Sequence, residues 1–327
     1  MKNSLRENLL ALSLRMPLRH RLSSTRPICL LYHGVPQINL KPPEISLNSE
    51  TFEEHIIFIK KHFQVIFPRD IMHRRHASDK VQVLLTFDDG FQNNATVVAP
   101  ILRQYKVPAI FFACTRHITP GNYLWFNHLS ILEEKFPHRG FCFYGVFMDM
   151  SPERRSDTIT RLQEHLLSLR PHPAAMYAAM EHLPHPEEFL TGQEILDWCA
   201  GMTREQIAEL DADPLFTVEV HCHDHPFLTK CDPDEQARQV KENQRLLGDI
   251  CGRKSAVISY PLGDYNDAVL RLCQQAGFTQ GFAVNSNRLN GLHMEIPRVG
   301  VSKPSVKILA FKILWGNYLR ALSLKVG

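Results

Sequence analysis

Apolar and polar positions along the 327-residue chain fall into two kinds of run. "PICLLYHGV" (27–35) and "VQVLLTFDDG" (81–90) are continuous apolar stretches that stop at polar residues. Runs of this length without alternation predict strands covered on both faces, as in a parallel sheet or barrel. Between them, "SETFEEHIIFIKKHF" sets Phe52, Ile56, Ile59 and Phe63 at the spacing of one helix face. "NNATVVAPILRQYKV" after Gly90 predicts a second helix, and "PAIFFACT" a further strand. Alternation of this kind predicts a (β/α) barrel or a doubly wound sheet.

From about residue 128 to 214 the pattern turns helical. "SPERR" sets a serine cap before a first-turn proline, and "TGQE" and "TREQ" match capping boxes. The block is expected to be an insertion riding on the barrel rather than an independent domain. Strand signals resume with "LFTVEVH", "SAVISYPLG" and "GFTQGFAV". The expected division is a basic segment over 1–26, the barrel over 27–303 and a basic, apolar helix over 304–327. That helix, "SVKILAFKILWGNYLRALSLK", is expected to close the barrel, with contact to an anionic membrane surface as the alternative.

Charge narrows the function. Lysine plus arginine number 37 and aspartate plus glutamate 34, a balance that argues against a nucleic-acid binder. A hydrophobic content of 44% allows a sizeable core. The eight cysteines form no C-x-x-C pair and are expected to be reduced. The N-terminal run "LLALSL" is short for a secretory leader, and no stretch approaches a membrane span. The expected location is cytoplasmic, with peripheral contact to the inner membrane face as the alternative that the C-terminal helix offers.

The chemistry concentrates at two places. In "LLTFDDGFQNN" two carboxylates, Asp88 and Asp89, follow an apolar run. Adjacent like charges repel, so one is pushed toward protonation unless something positive sits beside them. Neighbouring residues on a strand point to opposite faces, and both can serve one site only where the strand becomes a turn, which Gly90 permits. "VEVHCHDHPFLT" then spaces His221 and His225 four apart, a separation that lets both imidazoles meet one ion. His223 lies between them as a competitor, ranked outside the ligand set. Cys222 is a soft ligand in an N/O set and is expected to pack instead. Most of the 17 histidines, among them His62, His73, His76, His138, His172, His182 and His185, carry no such signal.

Together "TFDDG", "HCHDHP" and "YPLGDYNDAVLRLCQQAGF" resemble the polysaccharide deacetylases, the carbohydrate esterase family 4 or NodB-homology group. The resemblance implies a distorted (β/α)7 barrel carrying a helical insertion, and a divalent metal, zinc, held by Asp89, His221 and His225. It further implies Asp88 as catalytic base and the Leu262 N–H as oxyanion donor. The family's arginine that steadies the base is absent; Ser259 stands at the matching position. Arg298 in "IPRVGV" is a candidate to approach from a later strand. The family's general acid, a histidine ending a late apolar strand, has no match near the C-terminus. "CLLYHGV" has that character, and a permuted order brings His33 to the same place, with His293 as runner-up. Trp125, Tyr260 and Arg298 are the expected substrate-binding residues. The implied reaction is deacetylation of N-acetylated sugars in a surface glycan or its precursor. An O-acetyl esterase, a small-molecule amidohydrolase and an inactive carbohydrate-binding protein are the alternatives.

Overall fold

The computed structural model describes residues 27–37, 47–71, 80–284, 293–302 and 304–323, so the basic segment 1–26 lies outside it. Strand β1 (Ile28–Tyr32) precedes α1 (Ser49–His62), which Asn48 caps by accepting the Thr51 N–H. The stripe read from sequence is the buried face: Phe52, Ile56 and Ile59 are inaccessible, and Phe63 caps the helix end. A two-residue β2 (Gln64–Val65) leads to β3 (Gln82–Phe87). The next helix opens with a π turn at Asn94–Val98 before α2 (Ala99–Tyr105). Pro100 accounts for this widening. It has no N–H for the carbonyl four residues back, and its ring crowds that carbonyl. Strand β4 (Ala109–Ala113) follows.

The insertion is not wholly helical, contrary to expectation. After α3 (Trp125–Lys135) comes an antiparallel hairpin, β5 (Gly140–Phe143) and β6 (Val146–Asp149). Then come α4 (Arg155–Ser168), α5 (Pro173–Met180), α6 (Gly192–Trp198) and α7 (Arg204–Ala212). Ser151 does not cap α4. The Asp149 carboxylate holds the Ser151 N–H at 2.9 Å, a turn intervenes, and Arg154 occupies the cap position. The capping boxes at Thr191–Glu194 and Thr203–Gln206 do start α6 and α7. Trp125, Leu132, Leu162, Leu166 and Met176 belong to a core of the insertion's own.

The barrel resumes with β7 (Phe216–Val220), α8 (Pro233–Cys251), β8 (Val257–Ser259), α9 (Asp267–Gln275), β9 (Gln280–Ala283), β10 (Ile296–Gly300) and α10 (Val306–Ser323). Its strands run β1-β10-β9-β8-β7-β4-β3 and back to β1, all parallel, making a closed seven-stranded barrel; β2 pairs only with β3. The first strand therefore lies between the last strand and β3, with Cys29 opposite both Arg298 and Leu84. Alternate residues feed two apolar layers. Cys29, Leu84, Ile110, Phe112, Phe282 and Ile296 share one cluster, while Leu30, Leu85, Phe111 and Ile258 pack with the helices. Two covered faces explain why the strands read as continuous apolar runs.

Candidate active site

Leu84, Thr86 and Asp88 are alternate residues leading off β3, so the pleat alone would turn Asp89 to the opposite side. Asp89 instead takes φ +74°, and Gly90 φ +76°. A Cβ on residue 90 would lie 3.0 Å from Ala113 Cα and Cβ, which leaves glycine as the fitting residue. Cys222 (φ +62°), His225 (φ +50°) and Leu262 (φ +59°) are also left-handed. Such a backbone costs a non-glycine residue on the order of 1–2 kcal/mol. His225 adopts it immediately before Pro226, where an extended backbone is preferred. The strain gathers on the segments that follow β3, β7 and β8, at the carboxyl ends of the barrel strands.

These bends bring Asp89, His221 and His225 together. One ligand atom from each lies within 4.8 Å of the others, and all three residues are buried. His221 Nδ1 is 2.9 Å from the Ser259 carbonyl. A carbonyl only accepts, so Nδ1 carries a proton, and in the neutral ring Nε2 is the lone pair free to face a cation. Nε2 of His221 and Nε2 of His225 each stand 3.4 Å from Asp89 Oδ1. Neither Asp89 oxygen makes a well-formed hydrogen bond, and both are buried. An ionised carboxylate with two idle oxygens facing two imidazole nitrogens fits a divalent cation, and the N/O donor set suits zinc.

Asp88 has different partners. Arg298 Nη1 donates to Oδ1 at 2.6 Å and Nη2 to Oδ2 at 2.7 Å, while the Ser259 hydroxyl donates to Oδ2 at 3.2 Å. Arg298 also donates to Ser259 Oγ at 2.7 Å and Thr86 Oγ1 at 3.2 Å. Burial would raise the Asp88 pKa, but the Arg298 charge, with His221 and His33, holds it below the usual carboxylate range. Burial likewise opposes ionisation of Asp89, and His221 and His225 overcome it, keeping the group well below that range. Burial pulls the His225 pKa down; for His221 the two aspartates outweigh burial and raise it.

Three expectations need correction. Arg298, named both for the substrate and for an approach to the base from a later strand, stands at the base: its side chain is wholly buried against Asp88 and presents no surface to a sugar. Tyr260 is also inaccessible, donating its hydroxyl to the Met294 carbonyl and stacking on Tyr265. Trp125 opens α3 but turns inward against Phe126 and Phe227, so its ring offers no open face to a sugar.

The remaining expected residues are accounted for individually. Leu262 is exposed, and its N–H has no acceptor among the described residues; the next two amides are committed to Tyr260 and Pro261. His33 is half-buried just beyond β1. The Asp88 N–H donates to the Tyr32 carbonyl at 3.0 Å, which sets His33 beside the aspartates, close enough for a protonated imidazole to act on both. His293 is exposed, with its carbonyl engaged by the Gly281 N–H. His223 pairs with Thr115 Oγ1 at 2.8 Å, apart from the three-residue cluster.

Two supporting residues were not read from the sequence. Asn243 on α8 accepts the His221 N–H at 3.2 Å and donates to the Ala113 and Cys222 carbonyls, joining β4 to the bend after β7. Its signal was a polar residue in the buried stripe Val240, Asn243, Leu247. Asn93 accepts the Val35 N–H at 2.9 Å and donates to the Asp197 carbonyl at 2.8 Å. The Asp197 carboxylate in turn accepts the Gln37 N–H. The loop that carries His33 is thus fastened to the helical insertion. Nothing local in the sequence announces a contact across such a separation.

Residues 75–140 and 184–281 match the sequence profile of the polysaccharide deacetylase family. The chain belongs to that family. The matched stretches include Asp88, Asp89, His221 and His225 but neither His33 nor Arg298. Over 301 residues the chain is 27% identical to the Bacillus subtilis (strain 168) protein YxkH, whose name assigns it to the polysaccharide deacetylases; the match covers 90% of this chain and 76% of YxkH. Among solved structures, IcaB from Ammonifex degensii superposes with a TM-score of 0.56 at 18% identity, covering 90% of this chain and 98% of IcaB. The Streptococcus pyogenes deacetylase PplD, solved with acetate, gives 0.55 at 17% identity, covering 88% and 98%.

Proposed function

We propose that the protein is a metal-dependent hydrolase that removes acetyl groups from N-acetylated sugars of a surface glycan or its precursor. One observation carries the reading: two adjacent buried carboxylates have divided partners. Asp89 faces two imidazole nitrogens, and Asp88 is clamped by a guanidinium and a hydroxyl. Asp89, His221 and His225 would hold a divalent ion, which when bound would supply Lewis acidity toward an acetyl carbonyl and a water.

The chain's own groups do the rest. Asp88, kept ionised by Arg298, accepts a proton from the attacking water as its oxygen bonds to the acetyl carbon. The uncommitted Leu262 N–H is the donor for the oxyanion that forms. His33 gives a proton to the sugar nitrogen as the C–N bond breaks, releasing acetate and a free amine. The PplD structure, which holds acetate, supports an acetyl product by analogy of fold.

The test is acetate release from matched N-acetyl and O-acetyl glycans by wild type and His33→Ala. An amine is a poor leaving group unless protonated, so the variant should lose on the order of 10²–10⁴-fold on amides and less on esters. Equal loss on both substrates removes His33 from that role. Activity confined to esters supports the O-acetyl esterase reading instead.

A further inference from the structure

Helix α10 is apolar on two sides, and the barrel uses only one. Leu309, Ala310 and Ile313 are buried against the barrel, as the closing-helix expectation requires. Ile308, Phe311 and Trp315 repeat at i, i+3 and i+7 and are 41%, 45% and 49% exposed. The Phe311 and Trp315 rings stack at a centroid separation of 5.9 Å, continuing one apolar ridge. A helix of a soluble protein ordinarily shows polar residues on that side.

The charge around the ridge points to its occupant. From Ile296 to the end the sequence holds no aspartate or glutamate, while Lys303, Lys307, Lys312, Arg320 and Lys325 flank or interleave the helix. Lys307 is exposed beside Ile308. A row of large apolar side chains with a tryptophan, on a segment whose own charged residues are all cations, matches a bilayer interface rich in anionic headgroups. Among the described residues no helix is long and apolar enough to cross a membrane. We propose that α10 lies on the surface of an anionic membrane, with Ile308, Phe311 and Trp315 in the headgroup–acyl boundary. Because α10 follows β10 after a short connection, its first turn starts at the end of the barrel where the strands terminate. The proposal stands apart from the assigned chemistry, since a membrane contact needs no turnover.

The probe is vesicles of phosphatidylglycerol and phosphatidylethanolamine, compared with phosphatidylcholine alone, using the full chain. Trp125 and Trp198 are buried, so Trp315 is the exposed indole reporter. Anionic vesicles should shift its emission to the blue, and brominated lipid should quench it. Lys307→Glu should weaken partitioning by about fivefold or more, and added salt should do the same. Phe311→Ser with Trp315→Ser, read by co-sedimentation with the vesicles because the reporter is removed, should abolish partitioning while deacetylase activity on a soluble substrate is kept. Phe147→Ser, on the exposed β5–β6 hairpin, should leave partitioning unchanged. Partitioning that survives the paired α10 variant, or that is lost in the hairpin variant, overturns the proposal. A dimer that shields Trp315 in the absence of lipid overturns it too, because a second copy is then the occupant.

Discussion

Arg298 and Asp88 stand 210 residues apart in the chain and meet through two parallel hydrogen bonds of 2.6 and 2.7 Å. The planar fork matches a carboxylate in a way that a lysine ammonium cannot. The pair is buried, so removing one partner strands the other's charge. Arg298→Met should therefore destabilise the protein by about 3–5 kcal/mol in denaturant unfolding, and adding Asp88→Asn should return part of that loss. A variant as stable as wild type would mean that water relieves Asp88 without the guanidinium.

Asp88 and Asp89 should separate by metal content. On the proposed ligand set, Asp89→Asn removes a charge and His225→Ala an imidazole, so both should reduce the divalent metal retained after dialysis. Asp88→Asn should keep the ion and the fold yet turn over slowly, since its carboxylate hydrogen-bonds to Arg298 and Ser259 and approaches the three-residue cluster only at 3.7 Å from His221 Nε2. Elemental analysis decides the matter without an activity assay. Equal loss of metal in both aspartate variants would make Asp88 a ligand.

Leu262 should matter through its backbone. Its φ of +59° and exposed side chain make glycine an acceptable replacement, which keeps the N–H in place. Relief of the left-handed strain is offset by the added freedom of the unfolded chain, so stability should change by less than about 1 kcal/mol. Turnover by Leu262→Gly should stay close to wild type. A large fall in kcat with the fold intact would give the side chain a role in its own right.

The clustering of Asp89, His221 and His225 was legible because its signals are local. A turn-forming Gly90 follows two acids, and two histidines sit four apart in "HCHDHP". Strand identity was legible from continuous apolar runs, which a barrel covered on both faces requires. The role of Arg298 was not fixed by sequence, because it depends on β1 closing the ring between β10 and β3. Burial of Tyr260 and Trp125 was hidden for a related reason. An aromatic beside a motif reads the same whether its ring meets solvent or a neighbouring element. The β5–β6 hairpin was missed inside a helical block, its four-residue strands being too short for a period to emerge.

Asn93 is predicted to position His33. With its amide bridging the Val35 N–H and the Asp197 carbonyl, Asn93→Ala leaves two buried groups unpaired. A cost of roughly 2 kcal/mol in stability is expected. A purely structural role would lower turnover of amide and ester substrates alike. Displacement of His33 should lower amide turnover more, and Asn93→Asp, which keeps the acceptor for Val35, should recover part of the difference. Equal losses on the two substrates would confine Asn93 to stability.

The last prediction concerns the insertion. His128 on α3 is buried, its Nε2 2.8 Å from the Pro184 carbonyl, to which it donates. Burial, against an opposing effect of that hydrogen bond, lowers its pKa from 6.5 to about 4, with His185, Glu187 and Glu181 acting on it from neighbouring segments. The unfolded chain binds a proton near pH 6.5 and the folded chain does not until about pH 4, so acid favours unfolding. The stabilising contribution is complete above pH 6.5 and is lost as pH falls through that window, up to roughly 3 kcal/mol. His128→Gln keeps a donor of similar reach but does not titrate. Its unfolding free energy should therefore fall less than that of wild type between pH 7 and pH 4.5, measured with denaturant at each pH. Parallel pH profiles for the two proteins would show that His128 takes up its proton without loss of the fold, and the acid sensitivity would then belong to other groups.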